Sequence, residues 1–207
     1  MSVGRLEPLV ALDQAQTGAA WLVAQIQADQ WERPTPCDEW RVRDVVNKMT
    51  ASTITFTCFG RRERPDPPYD LVHPAELLGD DPVGAYERAA AECRLVWRTP
   101  GCLEGTAPST VGEFPAKAVL NARIFDTTVL SWDVARAIGV ADGIGEALAG
   151  YVLRVARALV PTVRGVNPAR YKDARPLDAD RPLVDQMIAA TGRDPGWSAP
   201  TGPPARP

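Results

Sequence analysis

The sequence predicts an all-α fold. Apolar residues recur close to the 3.6-residue helical period in five long segments, and the stretches joining them are rich in Pro and Gly. The chain shows no internal repeat, heptad series, Gly-rich phosphate loop or GxSxG elbow that would suggest another architecture.

The first segment runs from Leu6 to about Ile26, with Leu9, Leu12, Ala19, Leu22, Val23 and Ile26 on its apolar face. The stretch DQWERPTPCDEW carries two prolines and reads as an ordered connection. A second helix is expected from Val42 to about Phe59, with Lys48 and Ser52 adjacent on one face at i, i+4. The following loop, from Gly60 to Asp81, contains Pro65, Pro67, Pro68 and Pro74, and its length suits a functional or mobile segment.

Asp81 and Pro82 then form an N-cap and N1 pair that starts a third helix reaching Arg98. A second connection, Thr99 to Gly112, is again rich in Gly, Pro, Ser and Thr. The fourth helix is expected from near Pro115 to Ile138, stopped by Gly139, and the fifth from Ile144 to about Val163. Beyond Gly165, a short amphipathic piece from Leu183 to Thr191 is placed to dock the Trp197 region, and the last ten residues, SAPTGPPARP, read as a disordered Pro-rich tail. Residues 1–197 are thus expected to form one domain.

Composition narrows the function classes. With 207 residues and 45% apolar content, the chain can bury one substantial core. A net charge of −3 disfavours a nucleic-acid surface, which needs clustered and unbalanced Lys and Arg. The densest basic run, Arg61, Arg62 and Arg64, is interrupted by Glu63 and reads as a solvated loop. No apolar run approaches the roughly 20 residues of a membrane span, and MSVGRLEPLV lacks a signal-peptide core, so a cytoplasmic protein is expected. Cys37, Cys58, Cys93 and Cys102 show no CxxC spacing and read as core or loop residues.

Three segments carry a resemblance: WERPTPCDEWRVRDVVNKM, ARIFDTTVLSWDVARAIG and TGRDPGW. Together they resemble the DinB superfamily, in particular the actinobacterial branch typified by the mycothiol-dependent maleylpyruvate isomerase N-terminal domain, over about Leu6 to Trp197. The resemblance implies a DinB-like up-and-down four-helix bundle with a fifth helix and a C-terminal extension. It also implies thiol-dependent or metal-assisted chemistry on small polar metabolites, with mycothiol as the usual thiol. In that branch the first segment ends VNHL or VNHM, and the second reads D-x-x-x-H-[ST]-W-D.

Aligning those motifs places the family's metal-ligating positions at Lys48, Asp126 and Leu130. Two histidines are therefore replaced, one by an ammonium and one by an aliphatic side chain with no lone pair. The single histidine of the chain, His73, lies far away in the Pro-rich loop. The expectation is a chain with no cofactor: no zinc, iron or nickel at this position, and no reason to expect mycothiol, which a metal would have to activate.

Lys48 and Asp126 should converge where the metal would sit. Three readings stay open at this stage: an internal salt bridge that plugs the site, an acid/base couple in which Asp126 takes a proton while Lys48 holds an oxyanion, or a Schiff-base lysine disfavoured by the adjacent carboxylate. Ser52, Thr127 and Trp132 are the candidate pocket residues. Trp132 also suits the core, and Asp133 suits an ion pair with Arg136 or Arg41. Ser131 would reach the pocket rim or bond back to the preceding turn.

The functional expectation is a metal-independent enzyme performing isomerisation, elimination or cyclisation on a small polar metabolite in actinobacterial secondary metabolism. The alternative is a non-catalytic ligand-binding protein or partner subunit. The expected partner is a small molecule, with no nucleic acid and no membrane, and either a dimer or a hetero-oligomer is compatible with the chain.

Overall fold

A computed structural model of the chain describes residues 6–38, 40–164 and 171–200. Six helices account for most of it: α1 (Pro8–Val23), α2 (Val42–Gly60), α3 (Pro82–Trp97), α4 (Ala116–Ile138), α5 (Glu146–Arg164) and the short α6 (Leu183–Ala189). The expected helices are all present, with ends within three residues of those expected, as fraying termini lead one to expect. Pro8 and Pro82 sit in the first turns of α1 and α3, where a missing N–H costs nothing. The Asp81 carboxylate caps α3 by accepting from the Gly84 N–H at 2.9 Å. Gly139 ends α4 in the left-handed region, at φ 77°, a conformation that glycine adopts without a Cβ penalty.

The bundle is a ring in which α4 packs on α1 and α2, and α3 packs on the same two helices from the other side. Helices α1 and α2 are therefore diagonal, as are α3 and α4, and the chain between each pair must cross an end of the bundle. The second crossing holds a hairpin that the sequence reading did not anticipate. Strands β1 (Thr106–Ser109) and β2 (Gly112–Pro115) pair antiparallel through a two-residue turn. Four-residue strands that each contain a proline are too short to show the period-two pattern by which strands are recognised.

The arginine run lies in an exposed loop, as expected, and its side chains are also bonded. Arg62 and Arg64 donate to the carbonyls of Cys102, Glu104 and Ser109 at 2.8–2.9 Å, and Arg61 pairs with Glu92 at 2.6 Å. While exposed, these cations also tie the start of the long loop to the crossing segment and to α3. Loop 61–81 contains no helix or strand, and His73 lies exposed in it. The expected tail falls partly outside the description: residues 201–207 are not among the described residues.

The core divides into two apolar clusters. One gathers the early turns of α1 and α4 with α5, α6 and the hairpin base, and Trp197 packs against it from the C-terminal segment. The other gathers the later turns of α1 and α4 with the start of α2 and α3. Between them lies a buried polar layer to which all four bundle helices contribute: Gln16, Lys48, Ser52, Tyr86, Arg123, Asp126 and Thr127. The four cysteines are unbridged, and burial pushes the thiols of Cys58, Cys93 and Cys102 up.

A buried charge cluster at the foot of a cavity

Helical spacing builds the polar layer. Lys48 and Ser52 lie one turn apart on α2, while Arg123, Asp126 and Thr127 occupy i, i+3 and i+4 on α4. Where the two helices face each other, the Lys48 Nζ lies 3.3 Å from Asp126 Oδ2 and the Ser52 hydroxyl donates to the same oxygen at 2.8 Å. The expected convergence of Lys48 and Asp126 is present in the structure.

Sequence reasoning missed Arg123. Its Nη1 lies 3.2 Å from Asp126 Oδ2, and its Nε donates to the Thr127 hydroxyl at 2.8 Å. The guanidinium is fully buried and faces the Phe56 ring, with 5.8 Å between its central carbon and the ring centroid. One carboxylate thus faces two cations and a hydroxyl. The sequence signal for Arg123 was weak: it stands one turn before Asp126, but α4 also carries Lys117, Asn121, Asp133 and Arg136, and only packing sets the buried arginine apart from these.

The layer continues across the bundle. Tyr86 donates to Gln16 Oε1 at 2.9 Å, and burial pushes its phenol up against the opposing influence of Arg123. Its hydroxyl therefore stays a proton donor.

Lys48, Ser52 and Asp126 open onto a cavity of about 540 Å³. Within it, α4 contributes Ala118, Val119, Ala122 and Phe125, and α2 adds Phe56. Leu159 of α5 and Tyr171 line another side. The mouth is formed by Tyr69 to Val72 of the long loop and by the hairpin, including Val111 of its turn and Phe114 of β2. The loop singled out by its length therefore contributes to the cavity wall. Most of these walls are apolar, which does not match the small polar ligand expected from the family pattern.

Two candidate pocket residues lie elsewhere. The Thr127 hydroxyl is committed to Arg123 and to the Arg123 carbonyl, and Trp132 is fully buried in the core; neither lines the cavity. Trp132 instead lies beneath the Arg136 guanidinium at 5.2 Å. Ser131 bonds back to the Thr127 carbonyl at 2.8 Å. Leu130 packs in the second apolar cluster, fully buried.

Asp133 does not pair with Arg136 or Arg41. Its partner is Arg193, from the TGRDPGW segment, with Nε–Oδ1 and Nη2–Oδ2 both at 2.8 Å. The Cys37 Sγ joins them at 3.3 Å from Asp133 and 3.2 Å from Arg193. The three segments that carry the family resemblance thus meet at one buried point.

Comparison with known proteins agrees with the resemblance and with the helical fold. Residues 12–135 match the family described as "Mycothiol maleylpyruvate isomerase N-terminal domain". The chain is 32% identical over 191 residues to two uncharacterized proteins of Mycobacterium tuberculosis, Rv0738 and MT0763, covering 91% of this chain and 98% of each relative. Its fold resembles the crystal structure of the mycothiol-dependent maleylpyruvate isomerase, with a TM-score of 0.60 at 13% identity over 74% of this chain and 68% of the other. A histidine-to-alanine mutant of that enzyme superposes similarly, with a TM-score of 0.59 at 14% identity and the same coverage. The chain belongs to the mycothiol maleylpyruvate isomerase N-terminal domain family.

Proposed function

We propose that the chain is a metal-independent enzyme of the isomerase type that moves a proton on a small metabolite bound in the cavity. The observation that carries this reading is the placement of Asp126 and Lys48 together in the wall of a cavity large enough for a metabolite. Asp126 would take a proton from a carbon beside a carbonyl, sending the electron pair onto the carbonyl oxygen. Lys48, with Arg123 behind it, would face the negative charge that develops there, in a setting where water screens little. Ser52 orients the carboxylate. Return of the proton at another carbon gives isomerisation; departure of a leaving group gives elimination; attack on an internal electrophile gives ring closure.

The donor set speaks against a metal at the family position. A divalent cation needs lone pairs, whereas the three positions present an ammonium, one carboxylate and an aliphatic side chain. Arg123 adds a second positive charge 3.2 Å from that carboxylate. Without a metal to activate a thiol, mycothiol loses its role in this reading. The partner is then the metabolite alone. No helix among the described residues is long and apolar enough to cross a membrane, which is compatible with a cytoplasmic enzyme.

A second reading has its own support. Lys48 is 1% exposed, and Asp126 Oδ2 has three donors around it, so the cluster also suits a plugged site in a non-catalytic binding protein. The two are separated by following deuterium exchange at C3 of phenylpyruvate in D2O by NMR. Catalysis predicts exchange faster than in buffer, unaffected by chelator, and slowed at least about 100-fold in Asp126→Asn. Binding of the acid with no acceleration would instead establish the second reading.

A further inference from the structure

We infer that the cavity takes a ligand whose body is a flat apolar ring system, set among the aromatic side chains of α2, α4 and Tyr171 and reaching the hairpin at the mouth. This inference rests on the cavity being the working site, as in the proposed function, and it names the class of molecule that fits there.

The make-up of the wall selects the body. Three of the chain's four phenylalanines, Phe56, Phe114 and Phe125, line this cavity, and so do two of its four tyrosines, Tyr69 and Tyr171. Rings from two helices, the long loop, the hairpin and the segment beyond α5 thus converge on one space. A packed core would close such rings onto one another, whereas here they border about 540 Å³, within the range of cavities that hold ligands of several rings.

Burial and shape agree. Phe56, Phe125 and Tyr171 are at most 9% exposed, and Phe125 and Tyr171 pack with centroids 5.6 Å apart and planes tilted by 36°. Ala118 and Ala122, one turn apart on α4, line the same cavity with nothing larger than a methyl group, which leaves room for a plate-shaped group beside these rings. At the mouth Val72, Val111 and Phe114 are 40%, 58% and 41% exposed. The outer edge of a ring system lying there would cover this apolar rim.

A flat ring meets aromatic walls by offset stacking and edge-to-face contact, which a saturated chain cannot make. It also enters already rigid, whereas a flexible chain must be ordered bond by bond. A small polar diacid would leave the walls unused and bring its charges against apolar surface. The charges of the lining are of both signs, Lys48 against Asp126 and Asp70, so the selection lies in the body of the ligand and not in the charge of its head.

The test uses the full chain and three probes in isothermal titration: 2-tetralone, 2-decanone and maleate. The two ketones share their carbon count and a single carbonyl, and differ as ring against chain. 2-Tetralone is expected to bind at least about threefold more tightly than either 2-decanone or maleate. Ala122→Trp, which fills the space beside the rings, should abolish 2-tetralone binding. If that variant misfolds by circular dichroism, Phe114→Ser at the exposed mouth takes its place and should weaken binding at least about threefold. A smaller gap for either competing probe, no binding of 2-tetralone, or binding that survives the filled cavity or is unmoved by Phe114→Ser would each overturn the inference. Selective binding of 2-tetralone by a protein that does not accelerate phenylpyruvate exchange would leave the inference standing and remove the proposed catalysis. Accelerated exchange with no preference for the ring would do the reverse.

Discussion

Arg193 grips Asp133 with both arms of its guanidinium, each at 2.8 Å, and joins the C-terminal segment to the middle of α4 across 60 residues of sequence. Burial works against the Arg193 charge, but Asp133, and then Cys37, override it and hold the guanidinium above the usual arginine range. The guanidinium therefore stays charged, acting as a fixed fastener.

Arg193→Met is expected to lower stability by about 3–5 kcal/mol, since it leaves the Asp133 carboxylate buried without its cation. Arg193→Lys should recover only part of the loss, because a point charge cannot make both bonds. Urea denaturation checks both. A loss below about 1 kcal/mol for Arg193→Met would show that the segment contributes little to the bundle.

The charge cluster predicts an unequal response to mutation. Asp126→Leu leaves Lys48 and Arg123 facing each other in the core, whereas Lys48→Met leaves the neutral Arg123–Asp126 pair. The first should cost about 3–5 kcal/mol and the second clearly less. Chemical denaturation of the two variants decides it. Equal losses would mean that Arg123 does not share the carboxylate.

These two clusters mark what the sequence made legible. Lys48, Ser52 and Asp126 were found because helical spacing and family motif fix their faces, and two short motifs sufficed to bring α2 and α4 together. Arg123 and Arg193 were not found, because an arginine in a sequence is usually solvated and only tertiary packing reveals that it is buried. Asp133 was assigned to Arg136 or Arg41, but Arg136 lies over Trp132 and Arg41 pairs with Glu32. The hairpin left no periodic trace in four-residue strands, although it supplies part of the cavity mouth.

Rebuilding the family's ligand set should depend on Arg123. Lys48→His with Leu130→His restores two imidazoles beside Asp126, but the guanidinium 3.2 Å from that carboxylate competes with an incoming cation. Zinc titration should show weak binding in this double variant and about one zinc per chain, at higher affinity, once Arg123→Met is added. Equal affinity in the two variants would show that Arg123 does not control the site.

The α3 cap gives a pH-dependent prediction. The Gly84 N–H, and then Arg88, hold the exposed Asp81 carboxyl below its ordinary value. Because the folded value is depressed, its stabilisation is present above the ordinary carboxylate range and is lost as pH falls through the folded value. Asp81→Ala should lower Tm at neutral pH, and the gap from wild type should close on acidification. A gap that is the same at neutral and strongly acidic pH would show that the ionised cap does not contribute.

Arg64 holds the cavity mouth together. It donates to the carbonyls of Ser109 and Gly112 and pairs with Glu113 at 3.1 Å, linking the long loop to the hairpin turn. All of these groups are exposed or half-exposed, so Arg64→Ala should change global stability by less than about 0.5 kcal/mol. Local order is a different matter, because the two-residue turn has little apolar burial of its own to hold it. Hydrogen exchange at residues 109–114 should therefore accelerate in Arg64→Ala while the amides of α2 and α4 keep their protection. Unchanged exchange in the turn would mean that strand pairing alone holds the hairpin in place.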